Sequence, residues 1–191
     1  MILPLILRLD AAGRPVKWIA WQQAATIYAR DCVAWTAGDN SFQLCGGFSR
    51  LSGKRSFLSV NSIIAVKGEN HCQQSIKVIP PLNNRELFQR DHHTCMYCGK
   101  TMKHNLLTRD HIKPLSKGGK DIWSNVVTSC LRCNTYKGNR LLSTLNMNLL
   151  ALPYVPNVAE YLVLRNRKIL GDQMAFLKMQ FSKEAKEWNS E

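Results

Sequence analysis

Two Cys-x-x-Cys pairs, Cys95/Cys98 and Cys130/Cys133, constrain this chain more than any other feature. Four thiols so arranged suit one tetrahedral zinc ion, which ties two distant segments of chain into one scaffold. The pairs stand 31 residues apart. A simple zinc ribbon needs roughly 15–20. The excess leaves room for a complete hairpin, with the metal as the clasp at its base. A redox disulfide is the alternative for either pair alone, but two pairs around one inserted hairpin favour structural zinc on Cys95, Cys98, Cys130 and Cys133. Four thiolates also close the coordination shell, which leaves no place for a catalytic water. His92 and His93, just before the first pair, read as polar residues at a helix end.

The charge balance points to a polyanionic partner. The 191 residues carry 26 Lys+Arg against 13 Asp+Glu, a net +13. Residues 1–80 hold a surplus of five positive charges, 81–150 a surplus of seven, and 151–191 only one. Nucleic acid is the economical partner, because pairing phosphates with cations releases counterions; DNA is favoured, with RNA left open. No basic amphipathic helix and no long apolar run favours a membrane. Seven cysteines, an odd number, argue against a disulfide framework and for a reducing, cytoplasmic setting. The apolar opening Met1–Leu7 lacks a basic n-region and a small-residue cleavage site, so it predicts a buried first strand rather than a signal peptide.

The patterning predicts an α+β chain in three parts: a mixed module over 1–80, a compact core over 81–150 and a helical tail over 151–191. In the first part, residues 2–9 read as a strand and Asp10–Pro15 as a turn. Trp18–Arg30 reads as an amphipathic helix, and Val33–Trp35, Phe57–Val60 and Ile63–Val66 as short strands. Asn70–Pro81 reads as a link; Gly46-Gly47 and Gly53 read as turn glycines. Cys32, Cys45, Cys72 and His71 are too irregularly spaced for a second metal site. Leu82–Asp91 predicts a helix, Leu106–Ile112 a strand, Ile122–Ser129 a strand or turn, and a helix begins near Asn134. Val158–Trp188 reads as helical, interrupted at Gly171.

Between the cysteine pairs runs an ordered set: Asp110-His111-Ile112-Lys113-Pro114, Gly118-Gly119, Trp123-Ser124-Asn125, then Cys133-Asn134 and Lys137-Gly138. Together these resemble the HNH nuclease motif, in the zinc-containing branch whose ββα-metal unit sits on a treble-clef-like scaffold. The resemblance covers about a third of the chain. It implies that His111 is the general base and that Asp110 and Asn134 hold one divalent cation, Mg²⁺ or Mn²⁺, against the scissile phosphate. It further implies that Asn125 ties down the hairpin loop, and that cleavage leaves 5′-phosphate and 3′-hydroxyl ends.

The residue chemistry agrees in kind. A carboxylate and an amide oxygen suit a hard cation, and neutral imidazole is plentiful near neutral pH. Asp110 and His111, being adjacent, serve one phosphate only if the strand bends there. Lys137, three residues after Asn134, shares a helix face with it and is expected to meet phosphate. Arg109, Lys113 and Arg140 are the expected backbone contacts, and Trp123 is expected in the core. The reading is a metal-dependent DNA endonuclease; the alternative is a zinc-stabilised nucleic-acid-binding protein without catalysis. The N-terminal part is a candidate DNA-docking module, with a lid or a dimerisation surface as the other reading.

Overall fold

β1 (Ile6–Leu9), buried at every position, organises the first half of the chain. The computed structural model describes residues 4–68, 79–166 and 168–188. Of the expected link Asn70–Pro81, residues 70–78, with His71 and Cys72, lie outside them. The fold is mixed α+β, in two compact units: Met1–Val78 with Val158–Phe181, and Ile79–Asn157 with Ser182–Glu191.

The first unit is a four-stranded sheet in the order β2-β1-β4-β3, with β2 at Pro15–Ile19, β3 at Val33–Phe48 and β4 at Arg55–Val66. β1 runs antiparallel to β2 and parallel to β4, with Leu7 opposite Ile63 and Leu9 opposite Ala65. Side chains of successive strand residues leave opposite faces, so this sheet has two cores. Leu7, Leu9, Ile63 and Ala65 pack with Ala159, Leu162 and Leu177, which belong to α4 (Val158–Arg165) and α5 (Gly171–Met179). Ile6, Ile19, Val60 and Ile64 pack with Ala24 of α1 (Trp21–Ala29). A buried polar latch fixes α5: Gln173 Nε2 donates to the carbonyls of Leu5 and Ser62 at 2.8 and 2.9 Å.

Three expectations change here. Trp18 lies on β2 rather than on the helix, and its indole N–H reaches the Leu162 carbonyl at 2.9 Å. The three short apolar runs are parts of two long strands: Val33–Trp35 opens β3, and Phe57–Val60 and Ile63–Val66 both lie on β4, joined through half-buried Asn61 and buried Ser62. Val158–Phe181 is no separate tail: it covers one face of the N-terminal sheet, whose apolar residues need that cover. Ile79–Asn157 of the second unit thus lies, in chain order, between the two pieces of the first, and Ser182–Glu191 follows them.

In the second unit α2 (Asn84–Arg90) is capped by Asn83, whose side chain accepts from the Glu86 N–H at 3.2 Å. β5 (Leu107–His111) and β6 (Val126–Cys130) form an antiparallel hairpin, and α3 (Leu131–Lys137) follows directly. Trp123 is buried and donates to the Pro80 carbonyl at 2.7 Å. Beside it Arg90, only 1% exposed, pairs with Asp91 and donates to the carbonyls of Trp123, Tyr154 and Val126. Asp91 in turn accepts from the Thr128 N–H at 2.7 Å. A buried ion pair satisfied on all sides holds α2 to β6; removing either partner would strand a charge. His92 and His93 follow α2 with positive φ and stand outside the cysteine cluster. α6 (Lys183–Trp188) closes the described chain.

Candidate active site

The four cysteine sulfurs of Cys95, Cys98, Cys130 and Cys133 lie within 4.8 Å of one another, with Cys98 and Cys130 at 4.0 Å. Sulfurs around one zinc at about 2.3 Å sit roughly 3.8 Å apart, so the donor set fits a structural zinc after a small contraction. Burial raises the Cys95 thiol, but backbone hydrogen bonds from Cys130, Cys98 and Tyr97 and one from the Cys98 thiol outweigh it and hold the group at about 7. Cys130 does double duty. Its sulfur accepts from the Cys133 N–H at 3.4 Å and so caps α3. That cap is why the helix starts at Leu131, three residues before the expected Asn134, and why its N-terminus serves sulfur rather than a phosphate.

β5 carries the rest of the site, and its alternation sorts the residues. Register is regular across the hairpin, with Asp110 opposite Val127 and His111 opposite Val126, so the strand has no bend at the pair. Thr108 and Asp110 face α3. Arg109 and His111 face the loop that carries Asp121.

On the α3 side Asp110 is 5% exposed. Its Oδ1 accepts from Lys137 Nζ at 3.0 Å, and its Oδ2 accepts from the Tyr97 hydroxyl. Burial, then the hydrogen bond to Asp110 and its charge, push the Tyr97 phenol far above its ordinary range, so it stays a donor. Lys137, 1% exposed, also donates to the His111 carbonyl at 2.7 Å. The face it shares with Asn134 is therefore turned into the protein, and Lys137 is not presented to phosphate as expected. Asn134 donates through Nδ2 to Thr108 Oγ1 at 2.9 Å and more weakly to the Arg109 carbonyl at 3.4 Å.

On the other face Asp121 is the shared acceptor. His111 Nε2 lies 2.8 Å from Asp121 Oδ1, and Arg109 Nη1 donates to both carboxylate oxygens at 2.9 and 2.7 Å. Burial raises the Asp121 carboxyl, but the hydrogen bonds and charges of Arg109 and His111 outweigh it and hold it below the usual carboxylate range. Arg109 also donates to Asn84 Oδ1 at 2.8 Å, so it serves the unit's own architecture before any phosphate. Lys113 is exposed. Arg140 is exposed too, folded over the Tyr136 ring at 5.1 Å with its guanidinium on the Tyr136 carbonyl.

Asn125 clamps the loop between the strands. Its Oδ1 accepts from the Lys113 N–H at 3.0 Å, and its Nδ2 donates to the carbonyls of Lys113 and Lys120 at 3.1 and 2.8 Å. Gly119 is required in the same loop, because a Cβ there would meet the Lys113 carbonyl oxygen at 1.9 Å. The clamp sets the position of Asp121.

Residues 95–150 match the family model described as HNH endonuclease. This segment of the second unit is similar to HNH endonucleases. No curated protein and no solved structure matches the chain. The match runs from the first zinc-pair cysteine past α3, and so takes in the clasp, His111, Asn125 and Asn134 together.

The residues of this segment fit zinc, whereas Asp110, as placed, does not fit a second cation; Asn134 uses only its Nδ2 toward Thr108 and Arg109 and keeps its amide oxygen. Both oxygens of Asp110 already have donors, one of them the Lys137 ammonium, and His111 leaves β5 on the opposite face. Sequence reasoning missed two residues. Asp121 had a signal: it is the sole carboxylate between Asp110 and Glu160 in a lysine-rich stretch. Tyr97 had none, since its reach to Asp110 exists only once the knuckle is folded.

Proposed function

We propose that the chain is a metal-dependent endonuclease that hydrolyses DNA phosphodiester bonds, with His111 as the general base. The observation that supports this most is the Asp121–His111 contact at 2.8 Å in a segment that matches the HNH endonuclease family. Asp121 is held ionised, so it accepts a proton-bearing Nε2 and leaves the Nδ1 lone pair to accept the proton of an attacking water. The water oxygen bonds to phosphorus as the bond to the 3′ oxygen breaks, and that oxygen takes a proton from solvent. The products are 5′-phosphate and 3′-hydroxyl ends. Mg²⁺ or Mn²⁺ would neutralise phosphate charge; the Asn134 amide oxygen would be available to hold it, whereas both Asp110 oxygens already accept from Tyr97 and Lys137.

The test is plasmid cleavage with each divalent cation in turn, for wild type and His111→Ala. Loss of cutting with DNA binding and zinc content retained is the expected result. A variant that cuts as well as wild type removes His111 from the mechanism. The second reading, a zinc-stabilised nucleic-acid-binding protein, is favoured by the Lys137–Asp110–Tyr97 contacts. It wins if wild type binds DNA and cuts with none of the metals.

A further inference from the structure

β3 and β4 continue as a two-stranded ribbon well beyond the sheet. β1 flanks β4 only at Ile63–Ala65, whereas the β3–β4 register runs on from Phe42 opposite Val60 to Phe48 opposite Arg55. Leu44 and Leu58 anchor the ribbon's base on the α1 side of the sheet. Past them it carries exposed Phe57, Arg55 and Phe48, and a tip with Arg50, Leu51 and Lys54. Phe57 and Arg55 are two apart on β4 and share a face, and the Arg55 guanidinium lies 5.9 Å from the centre of the Phe48 ring. Gly46 permits the tight crossing, since a Cβ there would meet Ser56 Oγ at 2.2 Å.

Charge decides what such an arm can meet. From residue 40 to residue 68 the chain has no Asp or Glu, while Arg50, Lys54 and Arg55 cluster at the ribbon's end. A second copy is disfavoured, because pairing two tips sets like charges together. The outer edge of β3 is also broken by register shifts at Val33/Trp35, Ala37/Ser41 and Cys45/Phe48, the kind of irregularity that blunts strand addition. Size agrees with duplex DNA: seven ribbon residues span roughly 20 Å, and a B-form major groove about 12 Å wide admits a two-stranded ribbon. The deep, narrow major groove of duplex RNA does not.

We propose that the distal β3–β4 ribbon is a docking arm for duplex DNA, entering the major groove with Arg50, Lys54 and Arg55 on the phosphates. This rests on the reading of the chain as a DNA enzyme, and the experiment separates the two. Binding of the full chain to a short DNA duplex is measured over a salt series with no divalent cation added. Wild type is compared with Arg50→Gln/Lys54→Gln/Arg55→Gln, whose fold is checked by circular dichroism. Each lost phosphate contact removes about 0.9 from the slope of log affinity against log salt, so the slope should fall by about 2–3. Between about 50 and 200 mM salt, wild type should lose roughly 40-fold more affinity than the variant. Phe57→Ala should weaken binding with the slope unchanged. An unchanged slope and affinity in the triple variant overturns the arm, as does an altered oligomeric mass with DNA binding intact. Equal losses on duplex RNA overturn the groove fit. A chain that binds through the ribbon and never cuts sinks the nuclease reading alone; one that cuts while the triple variant binds normally sinks the arm alone.

Discussion

The Tyr97 hydroxyl donates to the Asp110 carboxylate, and Tyr97 stands between the zinc-pair cysteines Cys95 and Cys98. Ordering the metal clasp therefore also orders the buried acid of β5, while Lys137 reaches the same acid from α3, the helix that Cys130 caps. Tyr97→Phe keeps the ring and removes the donor. One oxygen of a buried carboxylate then loses a partner, at a cost of about 1–3 kcal/mol. Denaturant unfolding should show that loss with zinc content unchanged; equal stability would mean that Asp110 does not depend on the hydroxyl.

Asp121→Asn tests whether the exposed acid orients His111. The amide can still contact Nε2 but no longer enforces one tautomer, so cleavage should slow with KM little changed. The loss should be smaller than that of His111→Ala, for which general-base removal is worth about 10²–10⁴-fold. A drop in affinity with turnover preserved would instead assign Asp121, through Arg109, to DNA binding.

Local signals in the sequence survive folding, and those that depend on distant partners do not. The cysteine pairs, the β5–β6 hairpin and the helix at Leu82–Asp91 follow from spacing and caps. What sequence could not show is which face of β5 meets which neighbour. Asp110 and Asn134 face α3 while His111 faces Asp121, and Lys137 looks solvent-facing until α3 is laid on the hairpin. In the first unit, α4 and α5 cover a sheet whose strands lie about a hundred residues earlier, a pairing that periodicity does not encode. The buried Arg90–Asp91 pair reads in sequence as ordinary surface charge, since only tertiary contact buries it.

Cys133→Ser or chelation should unfold the clasp. Structural zinc contributes its binding free energy to folding, so cooperative unfolding of the second unit should shift to lower denaturant and any cleavage should stop. Mg²⁺ or Mn²⁺ added after chelation should not restore activity, whereas zinc followed by either should. Recovery with Mg²⁺ alone would show that the four cysteines are dispensable to the site.

Asp172, at the start of α5, accepts from Ser62 Oγ at 2.5 Å and from the Asn40 N–H at 3.1 Å. Burial raises its carboxyl, but the hydrogen bonds from Ser62, Asn40 and the Gln173 N–H outweigh it and hold it below its ordinary value. A depressed carboxylate stabilises the fold fully above its unfolded pKa, and that stability is lost as pH falls through the folded one. Asp172→Asn should therefore cost about 1.5–3 kcal/mol near neutral pH, the worth of a hydrogen bond to a charged group. The gap to wild type should begin to close as pH drops below roughly 4, the unfolded value, and vanish once pH has fallen through the depressed native one. Urea unfolding at several pH values reads both effects. A gap that stays constant into acid would show that the hydrogen-bond geometry at Asp172, and not its charge, holds α5 to the sheet.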